Sequence, residues 1–274
     1  MEVRIISLEP RLNHPVKKIF QNAKFFQAVD LRGESPQELL DKNLITLNGF
    51  ENLKNGRKYH HELSTAGAVG LVLSFLKILK SNTGPVLICE DDCIPSPKLP
   101  QVINEMLLNS SDFDMVVFGP LMYEPSTNSM SSFFKNFDVL SQYYWGNHAL
   151  LFSSQGRQKA IKHLSTPVDV QLDALFSRIG MYADFKIIIQ AGGEPLAKQS
   201  LHASTIQTNS ACPMCDTSPG DVPYSLWSII LLVISFVFIL SISFVFIFST
   251  QSKCTDSCSD RIYCPKLNYI KRKR

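Results

Sequence analysis

Several common chemistries are missing from this 274-residue chain. It has no glycine-rich phosphate loop, no Ser, His and Asp set suited to nucleophilic hydrolysis, and no interleaved basic and aromatic residues suited to a nucleic-acid platform. No internal repeat is visible. The opening residues, Met1-Glu2-Val3-Arg4-Ile5-Ile6, hold no long apolar stretch of the signal-peptide kind. The seven cysteines do not fall into a disulfide framework. Cys212-Pro213-Met214-Cys215 is a lone C-x-x-C, half of what a four-ligand zinc site needs. Cys254, Cys258 and Cys264 fall in the tail and stay unassigned.

Charge is absent from one stretch altogether. Residues 226–248 carry no Asp, Glu, Lys or Arg, and as a helix they would extend about 34 Å, enough to cross a hydrocarbon core of roughly 30 Å. Tyr224 and Trp227 sit where interfacial anchors belong. The expected organisation is a body over 1–210, a linker over 211–224, a single transmembrane helix over 225–249 and a basic, Cys-containing tail over 250–274, a single-pass membrane protein with a C-terminal anchor. Two signals disagree about the side on which the body lies. The twenty residues before the span have no Lys or Arg, and the tail ends in Lys271-Arg272-Lys273-Arg274, which puts the tail in the cytosol. The missing export signal puts the body there instead.

The rest of the chain can build a core, with 45% apolar and 19% charged residues. Strand-like and helix-like stretches alternate through the body, which predicts an α/β fold with a mostly parallel sheet covered on both faces. Strands are expected at 4–8, 28–30, 85–89, 113–118, 148–152 and 185–189. Helices are expected at 15–26, 64–80 (capped by Ser64 or Thr65), 99–108, 155–164 and 168–179. The polar stretch within 124–136 reads as an active-site loop or lid.

The most informative element is Glu90-Asp91-Asp92, at the end of the apolar run Pro85-Val86-Leu87-Ile88-Cys89. Three adjacent carboxylates at the end of a buried strand repel one another and lose hydration, a burden that a bound divalent cation relieves. The plainer alternative is a solvated acidic turn leading to Pro95 and Pro97. Lys58-Tyr59-His60-His61-Glu62 suggests metal binding but reads better as a polar surface loop, since adjacent side chains point in different directions. Arg57 and Lys58 could meet a diphosphate, and Lys17-Lys18 reads as a solvated helix face.

Several segments, in order, resemble family 25 of the glycosyltransferases, the lipopolysaccharide-type and procollagen galactosyltransferase-like enzymes. Ile5-Ile6-Ser7-Leu8 is similar to the family's I-N-L opening, and Ala28-Val29-Asp30 to its A-x-D-G. The stretch from Gly67 to Phe75 is similar to G-E-I-G-C-x-L-S-H, and Leu87-Ile88-Cys89-Glu90-Asp91-Asp92 to L-I-x-E-D-D. The stretch from Asp114 to Gly119 is similar to D-x-x-x-x-G, that from Gly146 to Phe152 to G-x-x-A-Y-L, and Pro167-Val168-Asp169 to P-V-D. Gln199 with Ser204-Thr205-Ile206 is similar to the closing Q…S-x-I. The chain departs from the pattern at Ala68, Leu71 and Phe75, where the family has Glu, Cys and His, and at His14, where it has Arg.

The resemblance implies a GT-A type, Rossmann-like domain that binds a nucleotide-diphospho-sugar, such as a UDP-sugar, with Mn2+ or Mg2+. The implied reaction is inverting transfer of a hexose, galactose among the candidates, to a hydroxyl of a protein, glycan or lipid-linked acceptor. Glu90 and Asp92 have D-x-D-like spacing and are expected, with Asp91, at the metal and the nucleotide ribose. His202 is a candidate third metal ligand or a plain loop histidine. An inverting reaction needs a base opposite the leaving group. Asp169 is the first choice, although it could equally cap a helix, and Asp173 is the alternative. The departures leave open a second function, a catalytically inactive, membrane-anchored binding or scaffold protein.

Overall fold

A computed structural model of the chain describes residues 1–108, 113–130 and 136–200. All belong to the first of two compact units, Met1–Pro219 and Gly220–Arg274.

The chain opens with β1 (Glu2–Ser7), α1 (Pro15–Ile19) and β2 (Lys24–Gln27). The predicted helix at 15–26 ends early because Phe25 and Phe26 pair alongside Ile5 and Ile6 of β1, aromatic residues that favour a pleated surface. The second strand therefore lies just before the segment 28–30 assigned to it. Two helices not foreseen follow, α2 (Pro36–Asp41) and α3 (Leu47–Asn55). Each has a local start signal: Ser35 and Glu38 form a capping box, and Thr46 accepts from the Gly49 N–H. Helix α4 (Ala66–Ser81) starts at Thr65, whose side chain accepts from the Ala68 N–H.

Then come β3 (Val86–Glu90), β4 (Cys93–Pro95), α5 (Leu99–Leu108) and β5 (Met115–Val117). The stretch expected to be an irregular lid instead contributes two long antiparallel strands, β6 (Met122–Met130) and β7 (Phe137–Trp145). β6 is the last strand of the sheet, with one neighbour only. An edge strand needs no alternating apolar face, so its polar sequence hid it. The chain continues through β8 (Ala149–Phe152), α6 (Ser154–His163), α7 (Leu172–Tyr182), β9 (Ile187–Gln190) and β10 (Ala197–Gln199).

Two parts of the expected architecture are corrected. The eight-stranded sheet, in the order β2-β1-β3-β8-β5-β9-β7-β6, is mixed rather than mostly parallel. β1 runs parallel to β2 and β3, and β5 to β9, while β8 lies antiparallel between β3 and β5, and β7 is antiparallel to β9 and β6. A mixed sheet of this kind is compatible with a Rossmann-like domain. The second correction concerns the membrane-spanning helix: among the described residues no helix is long and apolar enough to cross a membrane. The segment 225–249 lies outside the described residues, as do His202, Cys212, Cys215 and the tail.

The core explains why the central strands read as unbroken apolar runs. Side chains alternate across a strand, and here both faces are covered. Val86 and Ile88 of β3 join one cluster with Phe75 of α4 and Phe176 of α7. Leu87 and Cys89 join the other with Val16 of α1 and Ile103 of α5. The same split holds for Leu150 and Phe152 against Ala149 and Leu151 in β8. Glu90 is the first position of β3 that this double burial does not claim, and it lies at the strand's carboxyl end.

Candidate functional site

Past the end of β3 the acidic triplet fans out. Asp91 turns back toward β1, where its carboxylate accepts a 3.4 Å hydrogen bond from Ser7 Oγ. The Asp91 carbonyl accepts from His14 Nε2 at 2.9 Å, and His14 Nδ1 accepts from the Val16 N–H at 3.2 Å. His14 thus ties the start of α1 to the acidic turn. Asp92 turns toward β10, the strand paired with β4. Its Oδ2 accepts from Gln199 Nε2 at 2.8 Å, while Oδ1 is enclosed with no partner among the described residues. Of the three carboxylates, Glu90 alone lines the cleft beyond the sheet.

The cleft brings Glu90 together with Asp173, from the first turn of α7. Asp173 is 6% exposed, and burial raises its carboxyl from 3.8 to about 6. The Ala174 and Gly146 N–H groups and the Arg57 guanidinium oppose that rise. Glu90 is pushed well above the usual carboxylate range, by burial first and then by the charges of Asp92, Asp91 and Asp173. Asp91 is raised as well, by burial and then by Asp92. Glu90 and Asp173 thus share a low-dielectric cleft in which burial disfavours both charges, and at Glu90 the neighbouring acids add to it. Each prefers to be neutral or to face a cation.

Asp169, the first candidate for a base, is not brought to this site. Helix α7 starts at Leu172, four residues later than the sequence suggests, with Gln171 at its N-cap, so Asp169 precedes the helix. Its carboxylate is partly exposed and pairs with Arg178 at 2.9 Å. Asp169 does not line the cleft, whereas Asp173, the alternative candidate, does.

Another part of the lining comes from the segment that the sequence presents as a surface loop. His60 stacks on Trp145, with ring centroids 4.1 Å apart and planes 18° off parallel. Burial, aided by Arg57 and His61, lowers its imidazole to about 4. His61 turns the other way and stacks on Tyr59. The pair therefore splits between the cleft and its flank, and reading the whole run as one surface loop missed His60. Gln171 fastens this strap to α7, its Nε2 donating to the carbonyls of His60 at 2.7 Å and Glu62 at 3.0 Å.

The β7–β8 connection completes the cleft. Gly146 has φ +102, a conformation that favours glycine, and it turns the chain so that Asn147 and His148 both line the cleft. The Tyr144 hydroxyl donates to Asn147 Oδ1 at 2.9 Å. His148 Nε2 donates to the Gly119 carbonyl at 2.6 Å, and the His148 carbonyl accepts from the Glu90 N–H at 3.1 Å. Burial lowers the His148 imidazole, partly offset by that bond and by Asp92.

The cavity volume is about 130 Å³, below the roughly 300–1,000 Å³ of a typical small-molecule cleft. Among the described residues no three His, Cys, Asp or Glu side chains group to hold a metal ion on their own. What the acids do fit is a hard cation that keeps most of its shell as water and phosphate oxygen and takes one or two carboxylates. The partnerless Oδ1 of Asp92 and the mutual repulsion felt by Glu90 are the observations that favour it. No family model matches the chain, and no curated protein matches it.

Proposed function

We propose that this chain is a glycosyltransferase, moving a hexose from a nucleoside-diphosphate donor to an acceptor hydroxyl, with Asp173 as the general base. The observation that carries the reading is the meeting of Glu90 and Asp173 in one cleft at the carboxyl end of β3, the edge of an α/β sheet where ligands bind. A carboxyl near 6 is mostly ionised at pH 7 yet basic enough to take a proton, the balance a general base requires. In the reaction the acceptor oxygen attacks the anomeric carbon as its proton passes to Asp173. The bond from that carbon to phosphate oxygen breaks, and the nucleoside diphosphate leaves with the electron pair. Glu90 and Asp92 would hold a Mn2+ or Mg2+ ion, which when bound neutralises charge on the departing diphosphate. The N–H groups of Ala174 and Gly146 hold the Asp173 carboxylate in place.

One observation favours a second reading, a catalytically silent binding protein. Ala68 and Leu71, which replace the Glu and Cys of the resembled family, both line the cleft, so its wall is apolar where that family carries functional groups. One experiment separates the two readings. The full chain is incubated with Mn2+ and a panel of nucleotide sugars, and release of nucleoside diphosphate is measured for the wild type and for Asp173→Asn. Release that falls about a hundredfold or more in the variant supports the transferase. No release from any donor supports the silent reading.

A further inference from the structure

The wall formed by Asn147 and His148 presents two polar atoms that the fold leaves unused. The Gly119 carbonyl can only accept, so the proton of the neutral His148 ring sits on Nε2 and Nδ1 keeps a bare lone pair. The Tyr144 hydroxyl occupies Asn147 Oδ1, which fixes the amide orientation and leaves Nδ2 with its two N–H donors. Neither Nδ1 of His148 nor Nδ2 of Asn147 has a hydrogen-bond partner among the described residues. Neither is among the sealed, partnerless atoms of the interior either. His148 is 1% and Asn147 7% exposed, and both line the cleft.

We propose that Asn147 and His148 form a donor and acceptor pair that reads a hydroxyl, or two adjacent hydroxyls, of an uncharged sugar ring. A hydroxyl both donates and accepts, so it satisfies an N–H and a lone pair on consecutive residues, which an anion or an apolar group cannot do. Glu90 and Asp173, which meet the backbone of His148 and Gly146 beside the pair, disfavour an anion there and offer further polar partners. Trp145, also in the lining, supplies an aromatic surface for the C–H face of a ring. The pair gives the transferase reading, on which it rests, a specificity element for either the transferred sugar or the acceptor.

The test is equilibrium binding of methyl hexosides and their monodeoxy analogues to the full chain, followed by ligand-detected NMR. The wild type is expected to bind at least one glycoside and to lose about tenfold or more for one monodeoxy analogue. In His148→Phe, which keeps ring and bulk, that preference is expected to collapse because the glycoside weakens to the level of its deoxy analogue. His148→Phe also leaves the Gly119 carbonyl unpaired, so Asn147→Asp serves as the second variant. It keeps an oxygen for Tyr144 while replacing the donor by an acceptor, and is expected to lose the same preference. Wild-type protein that binds no glycoside, or folded variants that discriminate as the wild type does, would overturn the proposal. Sugar binding with this pattern but no nucleotide-sugar turnover would uphold the pair and refute the transferase.

Discussion

Asp173→Asn is expected to make the protein more stable at neutral pH while removing its activity. The wild-type carboxyl moves from 3.8 to about 6 on folding, a difference of about 2 pKa units or about 3 kcal/mol held against the ionised form. The folded state binds this proton more tightly than the unfolded state. Its contribution is therefore fully present below about pH 4 and is lost as pH rises through about 6. An amide carries no charge to bury. It keeps an oxygen for the Ala174 N–H, bonded at 2.8 Å in the wild type, but meets the other backbone donor, Gly146, with an N–H of its own. That mismatch costs about 1–2 kcal/mol, leaving a net gain of about 1–2 kcal/mol above pH 7. Urea unfolding of both proteins at pH 4 and pH 7.5 is the assay. The variant should gain on the wild type between the two pH values, by about 2.5 kcal/mol in relative stability. Parallel behaviour at both pH values would mean that Asp173 is not held in a desolvated site, and the case for it as a tuned base would fail.

Three other substitutions probe the arrangement. Asp169→Asn removes a partly exposed pair with Arg178 and should change stability by less than about 1 kcal/mol with transfer unchanged; a loss of transfer as large as that of Asp173→Asn would return the base role to Asp169. Asp92→Ala should abolish manganese-dependent binding of a nucleoside diphosphate in calorimetric titration, and equal affinity with and without chelator in wild type and variant would exclude a cation at the acidic turn. Gly119→Ala places a Cβ within 1.9 Å of the Ala197 carbonyl oxygen at φ +59, so the thermal midpoint should drop by an amount corresponding to roughly 1–3 kcal/mol or more; an unchanged midpoint would show that the seam between that turn and β10 is not tightly packed.

The parts of the fold that sequence makes legible are those whose signal is local. β3 is an apolar run ending in acids, α4 has its cap and stripe, and the strands around Val116, Leu150 and Ile188 are buried on both faces. The β6–β7 pairing is hidden because an edge strand takes its order from a neighbour rather than from its own pattern. The start of α7 is misplaced because Asp169 is a better capping residue than Gln171, and Gln171 makes no side-chain cap at all; its amide holds the His60 and Glu62 carbonyls instead. In the site, Glu90 is foreseen because three adjacent acids need an explanation. His148 and Asn147 give no such sign, since their roles depend on Gly119 and Tyr144, the first of them 29 positions away.

Strand β10 also sets an order of events. Gln199, whose amide holds Asp92, follows it by 107 positions, and Lys198 and Ala197 pair with Ile94 and Pro95 of β4. Closing so long a loop is entropically unfavourable until the sheet between its ends has formed. On a ribosome the acidic turn therefore stays hydrated and open to water until residue 199 has left the exit tunnel. The amides of β4 and β10 should gain protection together, later than those of β1 and β3, in pulse-labelled hydrogen exchange during refolding.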